Sequence, residues 1–155
     1  MDGRVLERDL DPGFDEHAWL LDQAQALRAR RLNALDTENL AEFLESMAKK
    51  EVREAISQIE RLYMHMLKFT VQPGRATRSW AVSVTGAQSK LHELLESPSV
   101  RRAAEDKLVR AWERARRATA AEKAMPLAAI PANILWTLDE ALAWTPPFDL
   151  PTRAR

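Results

Sequence analysis

The fold of this chain is decided by residues 36–71, which read DTENLAEFLESMAKKEVREAISQIERLYMHMLKFTV. Apolar residues recur there at steps of three and four, the spacing that places them on one face of an α-helix. The repeating positions are Leu40, Phe43, Leu44, Met47, Val52, Ala55, Ile56, Ile59, Leu62, Tyr63 and Met66. This pattern continues for roughly 32 residues, or about 48 Å at 1.5 Å per residue. It predicts one long helix at the centre of the fold, with these positions facing the core.

The opposite face of this long helix is charged. Glu45, Lys49, Arg53 and Glu60 occupy it, and their signs are mixed. Mixed charges of this kind are typical of a helix face in contact with water. The sequence therefore gives this face no functional role.

Shorter helices are predicted on both sides of the long one. They cover residues 16–31, 78–96 and 98–123, followed by a short helix from about 138 to 144. Asp15 and Ser97 stand where helix N-caps belong. Pro73 and Gly74 end the long helix, and Thr137 with Glu140 forms the pattern of a capping box.

Together these elements predict an all-α protein, a bundle of about five helices with one long central helix. We expect a single helical bundle domain over residues 14–150. The polar residues 1–13 end in Asp11-Pro12-Gly13 and predict a flexible N-terminal arm.

Several kinds of chemistry lack the residues that they need. The chain has no cysteine, and its four glycines form no G-x-G pair, so thiolate chemistry and glycine-rich phosphate loops are excluded. No G-x-S-x-G turn occurs, and none of the three histidines follows a glutamate at the Glu-x-x-His spacing of di-iron bundles. We therefore assign no catalytic residue, no metal site and no cofactor, and the balance leans away from an enzyme.

The beginning of the chain, MDGRVLERD, is charged and lacks the apolar stretch of a signal peptide. No segment approaches the ~18 consecutive apolar residues of a membrane-spanning helix. We expect a cytoplasmic protein that does not enter the membrane.

The net charge is zero but unevenly distributed. Residues 1–70 carry 10 basic and 14 acidic side chains, whereas residues 71–123 carry 11 and 6. A stripe on the predicted fourth helix follows helical spacing and suits a phosphate backbone: Lys107, Arg110, Arg114 and Arg117. Acidic residues interrupt this stripe, and pairing with the acidic long helix explains it more simply. Intramolecular pairing is therefore favoured, and nucleic-acid binding through this stripe is the alternative.

Several short runs, in their order along the chain, resemble the bacterial all-helical family known as domain of unknown function 29. They are residues 15–20 (DEHAWL), 35–36 with 39–42, 65–68 (HMLK), 73, 78–80 (RSW), 97–99, 126–127, 130–131 and 137–140 (TLDE). The resemblance covers roughly residues 10–150. It implies an all-helical bundle and a prokaryotic source, and it brings no activity with it.

If the polar residues of these runs form a site, it lies around the turn at 69–80. His65, Lys68, Arg78 and Trp80 flank that turn and combine a titratable ring, two cations and an indole. Such a group would suit a small molecule or an anion, with enzymatic activity conceivable. The alternative, which we favour, is that these residues hold the turn by hydrogen bonds and stacking.

Five tryptophans, at 19, 80, 112, 136 and 144, remain to be placed. Most are expected to fill the core, although Trp144 beside two prolines also suits an interface. The sequence thus favours a non-catalytic helical interaction or accessory protein, bound to an unidentified partner protein or to a second copy of itself.

Overall fold

A computed structural model describes residues 12–147 of the chain. This part contains six α-helices, three short 3-10 helices and no β-strand. The α-helices are α1 (Glu16–Arg28), α2 (Thr37–Val71), α3 (Arg78–Leu94), α4 (Pro98–Glu105), α5 (Leu108–Lys123) and α6 (Leu138–Ala143). The 3-10 helices are Leu32–Ala34, Pro73–Arg75 and Leu127–Ala129. The all-α fold and the long helix are confirmed. The domain limits stay a prediction, since most of the expected arm (residues 1–11) and residues 148–150 lie outside the described part.

Side-chain caps fix where the helices begin. Asp15 accepts a hydrogen bond from the backbone N–H of Ala18 at 3.0 Å and starts α1. Ser97 caps α4 in the same way. Thr137 and Glu140 form the complete capping box that the sequence predicts, with each side chain accepting from the other residue's backbone N–H.

Two predicted helices end earlier than expected. The first stops at Arg28 rather than 31, because Arg30 adopts a positive φ of 56° and turns the chain. The predicted helix over 98–123 is two helices, α4 and α5, separated at Asp106 and Lys107. There the N–H of Lys107 bonds to the carbonyl of Ala104 in a tighter turn, and the backbone of Lys107 leaves the helical region. The buried positions keep the same phase across this break, so apolar spacing does not reveal it.

The chain divides into two compact units, residues 1–49 and 50–155. In the described part of the first unit only Gln23 and Ala26 are buried. The Gln23 side-chain oxygen accepts from the N–H of Asp36 at 2.8 Å, and Trp19 packs edge-on against Phe43.

In this first unit the expected core face of α2 is only partly covered. Leu44 and Met47 are predicted to face inward, but they are 58% and 53% exposed. That part of the prediction is wrong. An amphipathic pattern identifies the apolar face of a helix, but it does not say whether another element covers it.

The second unit is built around a chain of aromatic rings. Each ring lies 5.1–6.4 Å from the next, in the order Trp80, Phe69, Trp144, Trp136, Trp112 and Tyr63. Trp80 and Trp112 are buried, and Trp136 and Trp144 pack against the core while keeping part of their surface in water. These four tryptophans are core residues, as predicted for most of the five.

Buried polar groups fasten the segment between α5 and α6 to this core. The Tyr63 hydroxyl donates to the carbonyl of Trp136 at 3.0 Å, and the Trp112 indole N–H donates to the carbonyl of Ala132 at 3.1 Å. The buried Arg116 guanidinium donates to the carbonyl of Ile130 at 3.0 Å and pairs with Glu113 at 2.8 Å. Since a buried donor without a partner is costly, these bonds specify one path for the segment.

Candidate functional site

Lys68 occupies the last turn of α2 and is buried, with 5% of its side chain exposed. Its ammonium group lies 2.5 Å from the carboxylate of Glu122 near the end of α5, and that carboxylate side chain is 40% exposed. A buried ammonium requires a charged or strongly polar partner, because burial removes it from water. Glu122 supplies that partner and joins the ends of α2 and α5.

Trp80, in the first turn of α3, completes this contact. The Nζ of Lys68 lies 5.2 Å from the centre of its ring, and the Nζ of Lys123 lies 4.3 Å from it. Both distances are within the ~6 Å range of a cation–π interaction. The Trp80 ring also packs against Phe69 in a T-shaped arrangement, with 5.5 Å between the ring centres. Lys68 and Trp80, predicted to share a site, are therefore in contact.

His65 lies one turn before Lys68 on α2 and is half-buried. Its Nδ1 lies 2.9 Å from the carbonyl oxygen of Arg61. Because a carbonyl only accepts, Nδ1 carries a hydrogen in this contact. Burial lowers the pKa of His65 below its usual 6.5, the charges of Lys68 and Arg61 lower it further, and the Arg61 carbonyl and Glu122 partly oppose them.

Arg78, the fourth member of the predicted group, is exposed at the first position of α3. It forms no ion pair with any other residue between 12 and 147. The described structure thus brings Lys68, Trp80 and, through its charge interactions, His65 together, and it shows no hydrogen bond, ion pair or cation–π contact of Arg78 with them.

Two residues of this cluster were missed by sequence reasoning. Glu122 and Lys123 lie more than fifty residues after Lys68, and their positions in the last turn of a helix suggest only ordinary helix-end charges. No local pattern links them to Trp80. Only the packing of α5 beside the end of α2 brings them there.

The basic stripe is divided by its surroundings. Arg114 pairs with Glu60 of the long helix at 3.1 Å, which is the intramolecular pairing that the sequence favours. Lys107, Arg110 and Arg117 are exposed, and within residues 12–147 they form no ion pair. Lys107, Arg110 and Arg114 also line a surface cleft of about 400 Å³, whereas Arg117 does not. The four residues of the predicted stripe therefore do not form one surface, because three of them line the cleft and Arg117 lies outside it.

A comparison with protein-family models covers most of the described chain. A family model described as "Domain of unknown function DUF29" matches residues 14–145, which includes all six helices of the described structure. The chain belongs to this family. The resemblance inferred from the short runs is thus confirmed. The DUF29 match covers the cluster at Lys68 and the cleft at Lys107 alike, so both lie within the part of the chain that defines the family.

No curated protein and no solved structure matches the chain. Within residues 12–147, no group of three histidine or carboxylate side chains is arranged to hold a metal ion. No helix in that same span combines the length and the apolar character needed to cross a lipid bilayer.

Proposed function

We propose that this DUF29-family protein is a non-catalytic interaction protein of the bacterial cytosol, which binds an amphipathic helix of a partner protein on the first part of α2. The observation that carries this proposal is the exposed apolar set of the first unit. Nine large hydrophobic residues are exposed among residues 12–147, and five of them lie between 12 and 49. The five are Leu21, Leu27, Leu32, Leu44 and Met47. This concentration matters because residues 12–49 are little more than a quarter of the described chain.

The first part of α2 presents these side chains in an ordered way. Leu40, Phe43, Leu44 and Met47 follow the i, i+3, i+4, i+7 spacing and share one helix face. Leu40 and Phe43 are half-buried, whereas Leu44 and Met47 are exposed. The same spacing is used when an amphipathic helix binds a partner through its apolar face.

The later part of the same helix shows what coverage of this face looks like. Ala55, Ile59, Leu62 and Met66 continue the apolar positions, and each is at most 1% exposed within the second unit. One helix therefore has a covered apolar face in its second part and an open one in its first part. Open apolar faces of this kind mark interaction surfaces in soluble proteins.

The exposed pair Leu44 and Met47 provides the test. Burial of a leucine or methionine side chain contributes ~1.5–3 kcal/mol, so Leu44→Gln with Met47→Gln should weaken partner binding by roughly tenfold or more. The control is Val82→Gln with Val109→Gln, because these valines are 59% and 71% exposed and lie in the second unit. Tagged wild type and both double variants are used for affinity capture from bacterial cytosol, with and without nuclease, after sedimentation velocity of each protein alone.

In nuclease-treated extract, we expect wild type and the valine variant to capture a partner protein in stoichiometric amount. The Leu44/Met47 variant should fail to capture it. Concentration-dependent dimerisation, lost in the same variant, would identify the partner helix as that of a second copy. The proposal is wrong if the Leu44/Met47 variant still captures every partner and dimerises with the same dependence on concentration as wild type. It is also wrong if every captured protein disappears with nuclease.

The cluster at Lys68 supports a structural role better than a ligand site. Its ammonium is already paired with Glu122, and the ring of Trp80 is already in contact with Lys68, Lys123 and Phe69. A ligand would have to displace contacts that join three helices. We therefore infer that these residues hold the ends of α2 and α5 and the start of α3 together.

A further inference from the structure

A second surface feature of the molecule is a cleft of about 400 Å³ between α2 and α5, and most of its charged side chains are cationic. It lies within the second unit. Its polar and charged lining residues are Arg53, Ser57, Glu60, Lys107, Arg110 and Arg114. Arg53 and Glu60 belong to the α2 face whose mixed charges predict contact with water. Folding places them opposite the basic beginning of α5.

Within residues 12–147 the charges around this cleft are not balanced by ion pairs. Four cationic side chains and one carboxylate line it, and that carboxylate, Glu60, is paired with Arg114. Arg53, Lys107 and Arg110 form no ion pair with any residue between 12 and 147. The whole chain has 23 acidic and 23 basic residues, so a lack of carboxylates does not explain this. Like charges around a concave surface repel each other, and a bound anion relieves that repulsion.

The backbone at the cleft adds to the positive potential. Lys107 is the N-cap residue of α5, and no side chain caps this helix. Its first turn also contains no acidic residue. The beginning of this 16-residue helix therefore has neither a side-chain cap nor an acidic first-turn residue, and the positive end of its dipole lies beside Lys107 and Arg110.

The composition of the cleft favours phosphate as the anion. Three of the four cations are arginines, whose planar guanidinium groups match phosphate oxygens in a two-pronged geometry. Ser57 adds a hydroxyl donor, and Ile56 adds an apolar wall. The volume falls within the ~300–1,000 Å³ typical of small-molecule sites.

We propose that the cleft lined by Arg53, Ser57, Lys107, Arg110 and Arg114 binds a compact oligophosphate, such as the polyphosphate group of a nucleotide. The excess of three positive charges matches the charge of a di- or triphosphate group. A nucleic acid suits the cleft less well, because Arg117 lies outside it and the phosphates of a duplex are spread along its axis rather than gathered at one point. This proposal does not depend on the partner-binding face of α2.

Titration calorimetry of the full chain at low and near-physiological salt tests this site, with inorganic tripolyphosphate, ATP and AMP as probes. Tripolyphosphate and ATP should bind at one per chain, and AMP at least tenfold more weakly. Equal affinities of tripolyphosphate and ATP assign the site to phosphate alone, while tighter ATP binding assigns part of it to the nucleoside. Lys107→Gln with Arg110→Gln should weaken both by more than tenfold. The control Arg117→Gln, also on α5 but outside the cleft, should change them less than twofold.

Three results would overturn the proposal. One is no detectable binding of tripolyphosphate or ATP at low salt. Another is an equal loss in the Arg117→Gln control, which would mean a diffuse charge effect rather than a site. The third is a single-stranded or duplex oligonucleotide that binds and is not displaced by tripolyphosphate. Circular dichroism of each variant checks that folding is unchanged, which is expected because the three substituted side chains are exposed.

Discussion

The pair of Lys68 and Glu122 allows a prediction in which the two partners behave differently. The side chain of Lys68 is 5% exposed and that of Glu122 is 40% exposed. In Glu122→Gln the ammonium stays buried and loses its carboxylate. In Lys68→Met the aliphatic chain of the lysine is replaced by an uncharged side chain of similar length. The carboxylate of Glu122 can then turn towards water. The carboxylate variant should therefore be the less stable of the two.

The magnitudes follow from the same exposures. Removing one partner of a fully buried ion pair costs about 3–5 kcal/mol, and water at the half-exposed Glu122 reduces this to about 2 kcal/mol. Lys68→Met should cost about 0–1 kcal/mol, which includes its contact with Trp80. At ~2–4 °C per kcal/mol for a chain of this size, Glu122→Gln lowers Tm by about 4–8 °C and Lys68→Met by less than about 4 °C.

A double-mutant cycle measured by thermal and urea unfolding provides the assay. The double variant should be close to Lys68→Met alone, which gives a coupling energy of about 1.5–2 kcal/mol. Lys123→Met is the matched control. Its ammonium also contacts Trp80 but lies 4.0 Å from Glu122, and its coupling to that carboxylate should be much smaller. Strictly additive effects, or a Lys68→Met variant less stable than Glu122→Gln, would refute the structural role given to this pair.

Changes at three further residues, His65, Tyr63 and Ala124, have expected outcomes. Because the pKa of His65 is lowered in the folded protein, this imidazole binds a proton more tightly in the unfolded chain than in the folded one. The contribution of neutral His65 to the free energy of unfolding is therefore present above pH 6.5 and is lost as pH falls through the folded-state pKa. His65→Asn, which keeps a donor for the Arg61 carbonyl, should therefore lose less stability than wild type between about pH 7.5 and about pH 5.5 in urea unfolding; an equal loss would contradict the assignment. Tyr63→Phe removes the bond to the carbonyl of Trp136 and should cost about 1–2 kcal/mol by the same method, and an unchanged unfolding midpoint would argue against that bond. Because burial raises the pKa of Tyr63 to about 12, its absorbance should show no phenolate at pH 10 while the fold persists. Ala124 ends α5 with a φ of 50°, so Ala124→Gly should stabilise by about 0.5–1 kcal/mol, whereas Ala121→Gly within the helix should destabilise by about 1 kcal/mol; the same sign for both would contradict the left-handed conformation.

The elements of the fold were predictable because each carries its own local signal. The long helix follows from apolar spacing, and the starts at Asp15, Ser97 and Thr137 follow from the side-chain oxygen that each N-cap supplies. The break between α4 and α5 was not predictable in this way. Ala104 and Ala111 on its two sides are both buried in the phase of one continuous helix, so the apolar pattern is the same with and without a break.

The candidate sites depend on contacts between distant parts of the chain. The sequence identifies Lys68 and Trp80 as neighbours of a turn, but it does not say that Glu122 pairs with the first and Lys123 lies over the second. Arg53 shows the same limit. Its place on a mixed-charge helix face indicates contact with water, whereas the packing of α5 makes it one wall of a cationic cleft.

The aromatic chain of the second unit also gives the protein an optical signal of its own. The ring centre of Trp136 lies 5.9 Å from that of Trp112 and 6.4 Å from that of Trp144, so the ultraviolet transitions of neighbouring rings couple. The resulting near-ultraviolet circular dichroism persists only while the rings keep a fixed packing. Trp19 is the one tryptophan of the first unit and packs between Phe14 and Phe43. Comparison of wild type with a Trp19→Phe variant would isolate, by difference, the fluorescence of the first unit, while the wild-type dichroism reports on the second. Comparing the two melting curves would show whether the open apolar face belongs to a part of the chain that unfolds by itself.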